Sequence, residues 1–204
     1  MDVRTYGSHA LLVDVADTET ALSLYHELRR RPPEGVIDLV PAARTVLITF
    51  ASPSQVERAR AALRVPTPPP AVEDEAGPVE IAVCYDGPDL AEVAERTGLS
   101  PDEVVARHTA PTYVVAFLGF SPGFGYLTGL DPRLRLPRRT DPRTRVAAGS
   151  VAIAGDHSAI YPSASPGGWH LLGRTDTPLW DAGRTPPSLL QPGSRVGFVV
   201  RDDR

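Results

Sequence analysis

The sequence predicts two unlike modules: a small α+β domain over residues 1–64 and a mainly β domain, barrel or sandwich, over residues 79–204. Three observations carry this. A proline-rich stretch, VPTPPPAVEDEAGPV, has five prolines, a short acidic cluster and almost nothing bulky to bury, so residues 65–78 read as a semi-rigid linker. Before it, apolar periodicity switches between strand and helix. After residue 112, short strand-like runs separated by PG, GD, SPGG and QPGS dominate.

In the first module SHALLVDV (8–15) reads as a buried strand. Asp17, Thr18 and Glu19 then open a helix with Leu22, Tyr25 and Leu28 on one face, stopped by PPEG. VIDLV and TVLITF flank PAAR as an antiparallel hairpin. Ser52, Pro53 and Gln55 have the spacing of a capping box for a second helix reaching about Leu63. The expected order is β-α-β-β-α, with the helices on one face of an antiparallel sheet.

In the second module VEIAVCY (79–85) is a strand and DGPDLAEVAERTG a helix ended by Gly98. Ser100, Pro101 and Glu103 cap a short helix reaching about His108. TYVVAFLGF, SVAIA, SAIY, WHLLG and RVGFVV follow as strands of a many-stranded antiparallel barrel or sandwich.

Composition narrows the chemistry. The chain has 204 residues, with 21 basic side chains against 25 acidic ones and a net charge of −4, which offers no general attraction to nucleic acid. Residues 131–204 hold 11 arginines against 7 acids, whereas residues 1–130 hold 10 against 18, so an anionic small molecule suits the C-terminal third better. Every basic residue is Arg. Without Lys there is neither a Schiff base nor a P-loop lysine. The single Cys84 forms no intrachain disulfide, and five histidines without HExxH spacing, together with no CxxC, predict no metal site. No stretch reaches the ~18 apolar residues of a membrane span, and a cytoplasmic location is expected.

Four segments could carry function. In GFSPGFGYL (119–127), glycines interrupt an aromatic run, a pattern that fits either close approach of a ligand or barrel-corner packing. SPGGW (165–169) could free backbone N–H groups for an anion beside Trp169, although a plain hairpin loop has the same signature. Arg133, Arg135, Arg138, Arg139, Arg143 and Arg145 crowd a proline-punctuated loop, where one or two guanidinium forks could clamp carboxylate or phosphate near Gly149 and Ser150. His108, at a helix end, is a candidate general base or ligand contact, a position that the helix dipole alone also favours. Asp156, His157 and Ser158 are rejected as a catalytic triad, because neighbours along a strand point to opposite faces.

HTAPTYVVAFLGFSPGFGYLTGLD, PRRTDPRTRVAAGSVAIAG, IYPSASPGGWHLLGRT and LLQPGSRVGF, in that order, resemble the family of the 5-oxoprolinase B subunit, also called allophanate hydrolase subunit 1 and related to the inhibitor of a sporulation histidine kinase. The likeness spans residues 79–204 closely and the N-terminal YGSHALLVDV loosely. It implies a cyclophilin-like barrel, ATP-dependent opening of the 5-oxoproline lactam to glutamate, and companion A and C subunits, the latter a related barrel. Because this chain has no P-loop, the ATP site is expected to be shared with or held by a companion. An allophanate-type amide or urea-derived substrate and a role as a histidine kinase inhibitor are the alternatives. The family motif falls on His108, which would contact substrate or move a proton. It falls also on Arg138 and Arg143, which would hold anionic oxygens with Arg139 beside them, and on Ser150, Tyr161, Ser165, Gly167, Gly168 and Trp169 as pocket lining. Where the family usually has proline this chain has Gly125 and Ala147, and His157 and Ser158 replace glutamine and threonine.

Overall fold

The computed structural model describes residues 1–64 and 77–201, and all but the last two residues of the expected linker lie outside them. By internal contacts the chain divides into two units, Met1–Asp74 and Glu75–Arg204.

The first unit is a four-stranded antiparallel sheet in the order β1-β2-β4-β3: β1 Asp2–Tyr6, β2 Ala10–Asp14, β3 Val36–Pro41 and β4 Thr45–Phe50. On β4, Val46, Ile48 and Phe50 are buried while Thr45, Leu47 and Thr49 are half-buried, the period-2 alternation of a sheet covered on one side. Helices α1 (Thr18–Arg30) and α2 (Pro53–Ala62) cover that side. Leu22, Tyr25 and Leu28 of α1 are all buried, and Asp17 caps it by accepting from the Thr20 N–H at 2.8 Å. Each large apolar side chain so placed contributes about 1.5–3 kcal/mol by leaving water.

Two expectations change here. The order is β-β-α-β-β-α, because DVRTY forms an edge strand whose side chains are almost all exposed and so show no apolar period. At Ser52 the capping box is not made: its hydroxyl meets the Gln55 side chain at 3.1 Å instead of a backbone N–H.

In the second unit, β5 (Val79–Val83), α3 (Leu90–Thr97) and α4 (Pro101–Thr109) precede β6 (Tyr113–Leu118) and β7 (Gly125–Thr128). After a 3-10 turn at Pro132–Leu134 come β8 (Arg143–Val146), β9 (Ser150–Ala154), β10 (His157–Ile160), β11 (Ser165–Gly167), β12 (His170–Arg174) and β13 (Arg195–Val200). Gly98 ends α3 in the left-handed conformation, and the Ser100–Glu103 capping box on α4 is complete. Seven strands form one sheet in the order β12-β9-β10-β7-β6-β13-β5. Its two edges meet: the Cys84 N–H donates to the Arg174 carbonyl at 2.9 Å, and the Arg174 N–H donates back to the Cys84 carbonyl at 2.8 Å. This seam turns the sheet into a nearly closed barrel and removes its exposed edges.

The barrel is mixed, not wholly antiparallel as the turn-rich sequence suggested, because β5 lies parallel to β13. Two runs expected to be loops are short strands: β8 and β11 pair with each other as a separate ribbon. Side chains of Ile81, Val83, Tyr113, Val115, Leu127, Val151, Ile153, Ile160, Leu172, Val196 and Phe198 fill the inside, joined by Val93 and Ala94 of α3 and Val104 of α4. One residue along, Ala152, Ala154, Ala159, Tyr161 and Leu171 face outward and join Phe124, Val146 and Trp169 in a second cluster. None of the described helices is long and apolar enough to cross a membrane.

Candidate functional site

The outward cluster builds a recess. Phe120, Phe124, Tyr126, Arg138, Tyr161, Gly167, Gly168 and Trp169 line a small hollow of about 70 Å³, partly open to solvent. Its walls are aromatic rings meeting edge to face: Phe124 lies 5.3 Å from Tyr161 and 5.7 Å from Trp169 between ring centres, and Tyr126 lies 5.7 Å from Trp169. The Arg138 guanidinium carbon stands 6.0 Å from the Trp169 ring centre. Gly167 is glycine because a Cβ there would lie 2.3 Å from the Tyr161 hydroxyl oxygen. Phe120 is the only non-glycine residue with positive φ (66°) among those described, and 62% of it is exposed at the rim. An exposed phenylalanine held in that region is strained, a pattern concentrated at functional sites.

Five residues expected in a site therefore come together: Arg138, Tyr161, Gly167, Gly168 and Trp169. The others lie elsewhere. Ser150 is buried at the start of β9, and Ser165 starts β11; neither lines the recess. The SPGGW segment is a strand leading to a wall residue, and the Gly168 carbonyl accepts from the Arg139 N–H at 2.8 Å.

Arg139 and Arg143 are engaged by carboxylates of the chain itself. Asp89, whose side chain is 3% exposed, accepts both Arg143 nitrogens, at 2.9 and 2.6 Å, and Arg139 at 3.1 Å. Burial alone would raise the Asp89 carboxyl. The Arg143 fork, the Leu171 N–H and the Arg139 charge outweigh it and hold the group below the usual carboxylate range. Glu92 accepts Arg139 at 2.7 Å and is likewise held low, mainly by that bond. Of the three arginines expected to grip an anion, Arg138 is the one on the recess.

His108 is inside the barrel, with no solvent exposure. The Ser158 hydroxyl lies within hydrogen-bond distance of both the Ala152 carbonyl, at 3.3 Å, and His108 Nε2, at 2.9 Å. The Tyr85 hydroxyl is hydrogen-bonded to Nδ1 at 2.7 Å. Both ring nitrogens are thus partnered, and burial pushes the ring down to about 3, keeping it neutral. A proton-shuttling or substrate-contacting role for His108 has no open path in this arrangement; the ring serves as a satisfied polar core group. His157, next to Ser158, points outward against Tyr126 and Phe117, so the two side chains lie on opposite faces.

The buried imidazole makes stability pH-dependent. The unfolded ring takes a proton below its ordinary value of 6.5 and the folded ring does so only near 3, so its contribution is complete above pH 6.5 and is lost as pH falls below it. About 2 kcal/mol should disappear between pH 6.5 and 5, at ~1.4 kcal/mol per unit. Urea unfolding at pH 7 and 5 should show this loss, and H108Q should flatten it; equal pH dependence in both proteins would contradict the assignment.

Sequence reasoning missed Asp89, which it read only as part of the helix segment DGPDLAEVAERTG, because nothing in a sequence marks which carboxylate will be buried. Phe120, Phe124 and Tyr126 were visible only as an aromatic run, with ligand contact and packing both open. Among the described residues no group of three or more His, Cys, Asp or Glu could hold a metal ion.

The family signature of the carboxyltransferase domain, subdomains C and D, matches residues 1–190. The chain belongs to this family. One relative, the B subunit of 5-oxoprolinase from Escherichia coli O157:H7, is 49% identical over 136 residues, which cover 65% of this chain and 62% of that protein. The match thus spans less than two thirds of that curated relative. Urea amidolyase of Saccharomyces cerevisiae is 36% identical over 114 residues, 52% of this chain and 6% of that protein. The solved structure of TTHA0988 superposes with a TM-score of 0.78 at 39% identity, covering 100% of this chain and 41% of that one.

Proposed function

We propose that this chain is the B component of a cytoplasmic, ATP-dependent 5-oxoprolinase that opens the 5-oxoproline lactam to glutamate together with companion A and C subunits. The observation that carries the reading is the outer recess, in which one guanidinium stands over an indole inside an aromatic box. Flat rings suit a small planar lactam, and a planar guanidinium fork suits its carboxylate. We read the barrel as cyclophilin-like, with this recess on its outer face. The identity to the 5-oxoprolinase component supports the substrate, and the weaker likeness to urea amidolyase makes an allophanate-type amide the second reading.

A lactam carbonyl is a poor electrophile. Transfer of a phosphoryl group from ATP to its oxygen activates the carbon; water adds, the ring C–N bond breaks with nitrogen taking a proton, and the resulting acyl phosphate is hydrolysed to glutamate and phosphate. This chain has no lysine for a phosphate loop, which favours a nucleotide site shared with or held by a companion. A hollow of about 70 Å³, small and partly open to solvent, fits one wall of a shared site. In TTHA0988 the region like this chain is 41% of a longer polypeptide, as expected for a module that works beside another.

The test is reconstitution: this chain alone and with both companions, assayed for glutamate from 5-oxoproline plus ATP, with allophanate in parallel. Activity from the full set and none from the isolated chain is expected. Full activity of the isolated chain would contradict the shared site, and preference for allophanate would move the assignment to the second reading.

A further inference from the structure

We propose that Asp89 is a positioning residue for Arg138: it clamps the loop of residues 139–143 so that the neighbouring guanidinium is held over Trp169 at the recess. The proposal rests on the functional reading of that recess but is decided separately below. Arg138 is exposed, and its head group is held by the Trp169 ring at 6.0 Å. A long side chain so loosely held owes its position to the backbone that carries it.

That backbone is tied down at both ends, and Asp89 is common to both ties. At one end the Arg139 N–H donates to the Gly168 carbonyl at 2.8 Å, beside Trp169, while the Arg139 side chain reaches Asp89 at 3.1 Å and Glu92 at 2.7 Å. At the other end Arg143 lies opposite Gly167 in the β8–β11 ribbon and forks onto both Asp89 oxygens. Asp89 is itself anchored, because it accepts the Leu171 N–H at 2.7 Å, two residues beyond Trp169 in the chain. One buried carboxylate therefore binds the arginine loop to the strand that carries the indole. Three donors converge on it in a shielded position, where charge-assisted bonds are strongest and most directional.

The test uses charge-conserving pairs, so that a change in local charge does not imitate a change in position. In a W180F background Trp169 is the one remaining tryptophan. Iodide, drawn to Arg138, and neutral acrylamide are compared as quenchers of its fluorescence. D89N/R143Q should lower the ratio of iodide to acrylamide quenching to the value of R138Q. A wild-type ratio in D89N/R143Q overturns the proposal, and so does a ratio that R138Q itself fails to lower. Should D89N/R143Q not fold, E92Q/R139Q releases the other tie and is read in the same way.

In the complex with its companions, D89N/R143Q should raise the KM for 5-oxoproline about tenfold with kcat within about twofold, and adding R138Q should change nothing further, because both act through one group. A purely structural Asp89 would lower kcat, and its effect would add to that of R138Q. If R138Q leaves the complex fully active, the functional reading fails while the quenching result still decides the positioning.

Discussion

Replacing Gly173 with alanine is expected to destabilise the barrel unit by about 3 kcal/mol or more, the upper range for forcing a group into a packed site. A Cβ at Gly173 would lie 2.2 Å from the Cys84 carbonyl oxygen and 2.9 Å from the Tyr85 Cα. Both obstacles are backbone, so no side chain can swing aside. The strands must part at the place where the barrel closes, stretching the two Cys84–Arg174 hydrogen bonds and the Gly87 N–H bond to the Leu172 carbonyl, 3.1 Å long. Each lost bond costs about 0.5–1.5 kcal/mol net. At about 2–4 °C per kcal/mol, the melting temperature should fall by roughly 6–12 °C. Tryptophan fluorescence reports this unit alone, since Trp169 and Trp180 both belong to it. G197A is the control: a strand glycine whose added Cβ meets nothing within 4 Å should change stability by less than about 1 kcal/mol. Equal melting of the two variants would mean that the seam contributes little to closure.

R138Q is expected to lower kcat/KM for 5-oxoproline in the assembled complex by about 10- to 100-fold, with little change in melting temperature. A hydrogen bond between a guanidinium and a carboxylate contributes about 1.5–3 kcal/mol, which corresponds to that range of rate. The fold should hardly notice, because the head group is exposed and its stacking on Trp169 is of the kind that contributes about 0.5–1 kcal/mol. Arg139 and Arg143 differ on this point: both lead into Asp89, and truncating either leaves a buried carboxylate short of a partner. An unchanged kcat/KM in R138Q would remove the anion-binding role of the recess, and a large loss of melting temperature would make Arg138 structural.

Much of the local structure was legible because its causes are local. The α4 capping box, the Gly98 stop and the one-sided apolar face of α1 each depend on side chains within a turn of one another. Strands with one buried face announced themselves by alternation. The exposed edge strand β1 did not, and the ribbon β8–β11 was hidden because arginine, proline and glycine there read as loop chemistry.

The sequence by itself determined that a charge-carrying, glycine-interrupted, aromatic region lies in the C-terminal part, that its cations are all arginine, and that it belongs to a mainly β domain, barrel or sandwich. Only the tertiary structure decided which arginine is available, that His108 is a core group, and which carboxylate holds the loop. The reason is physical. Burial and ion pairing between residues about 50 positions apart, such as Asp89 with Arg139 and Arg143, depend on which strands become neighbours when the sheet closes, and no local pattern encodes that closure.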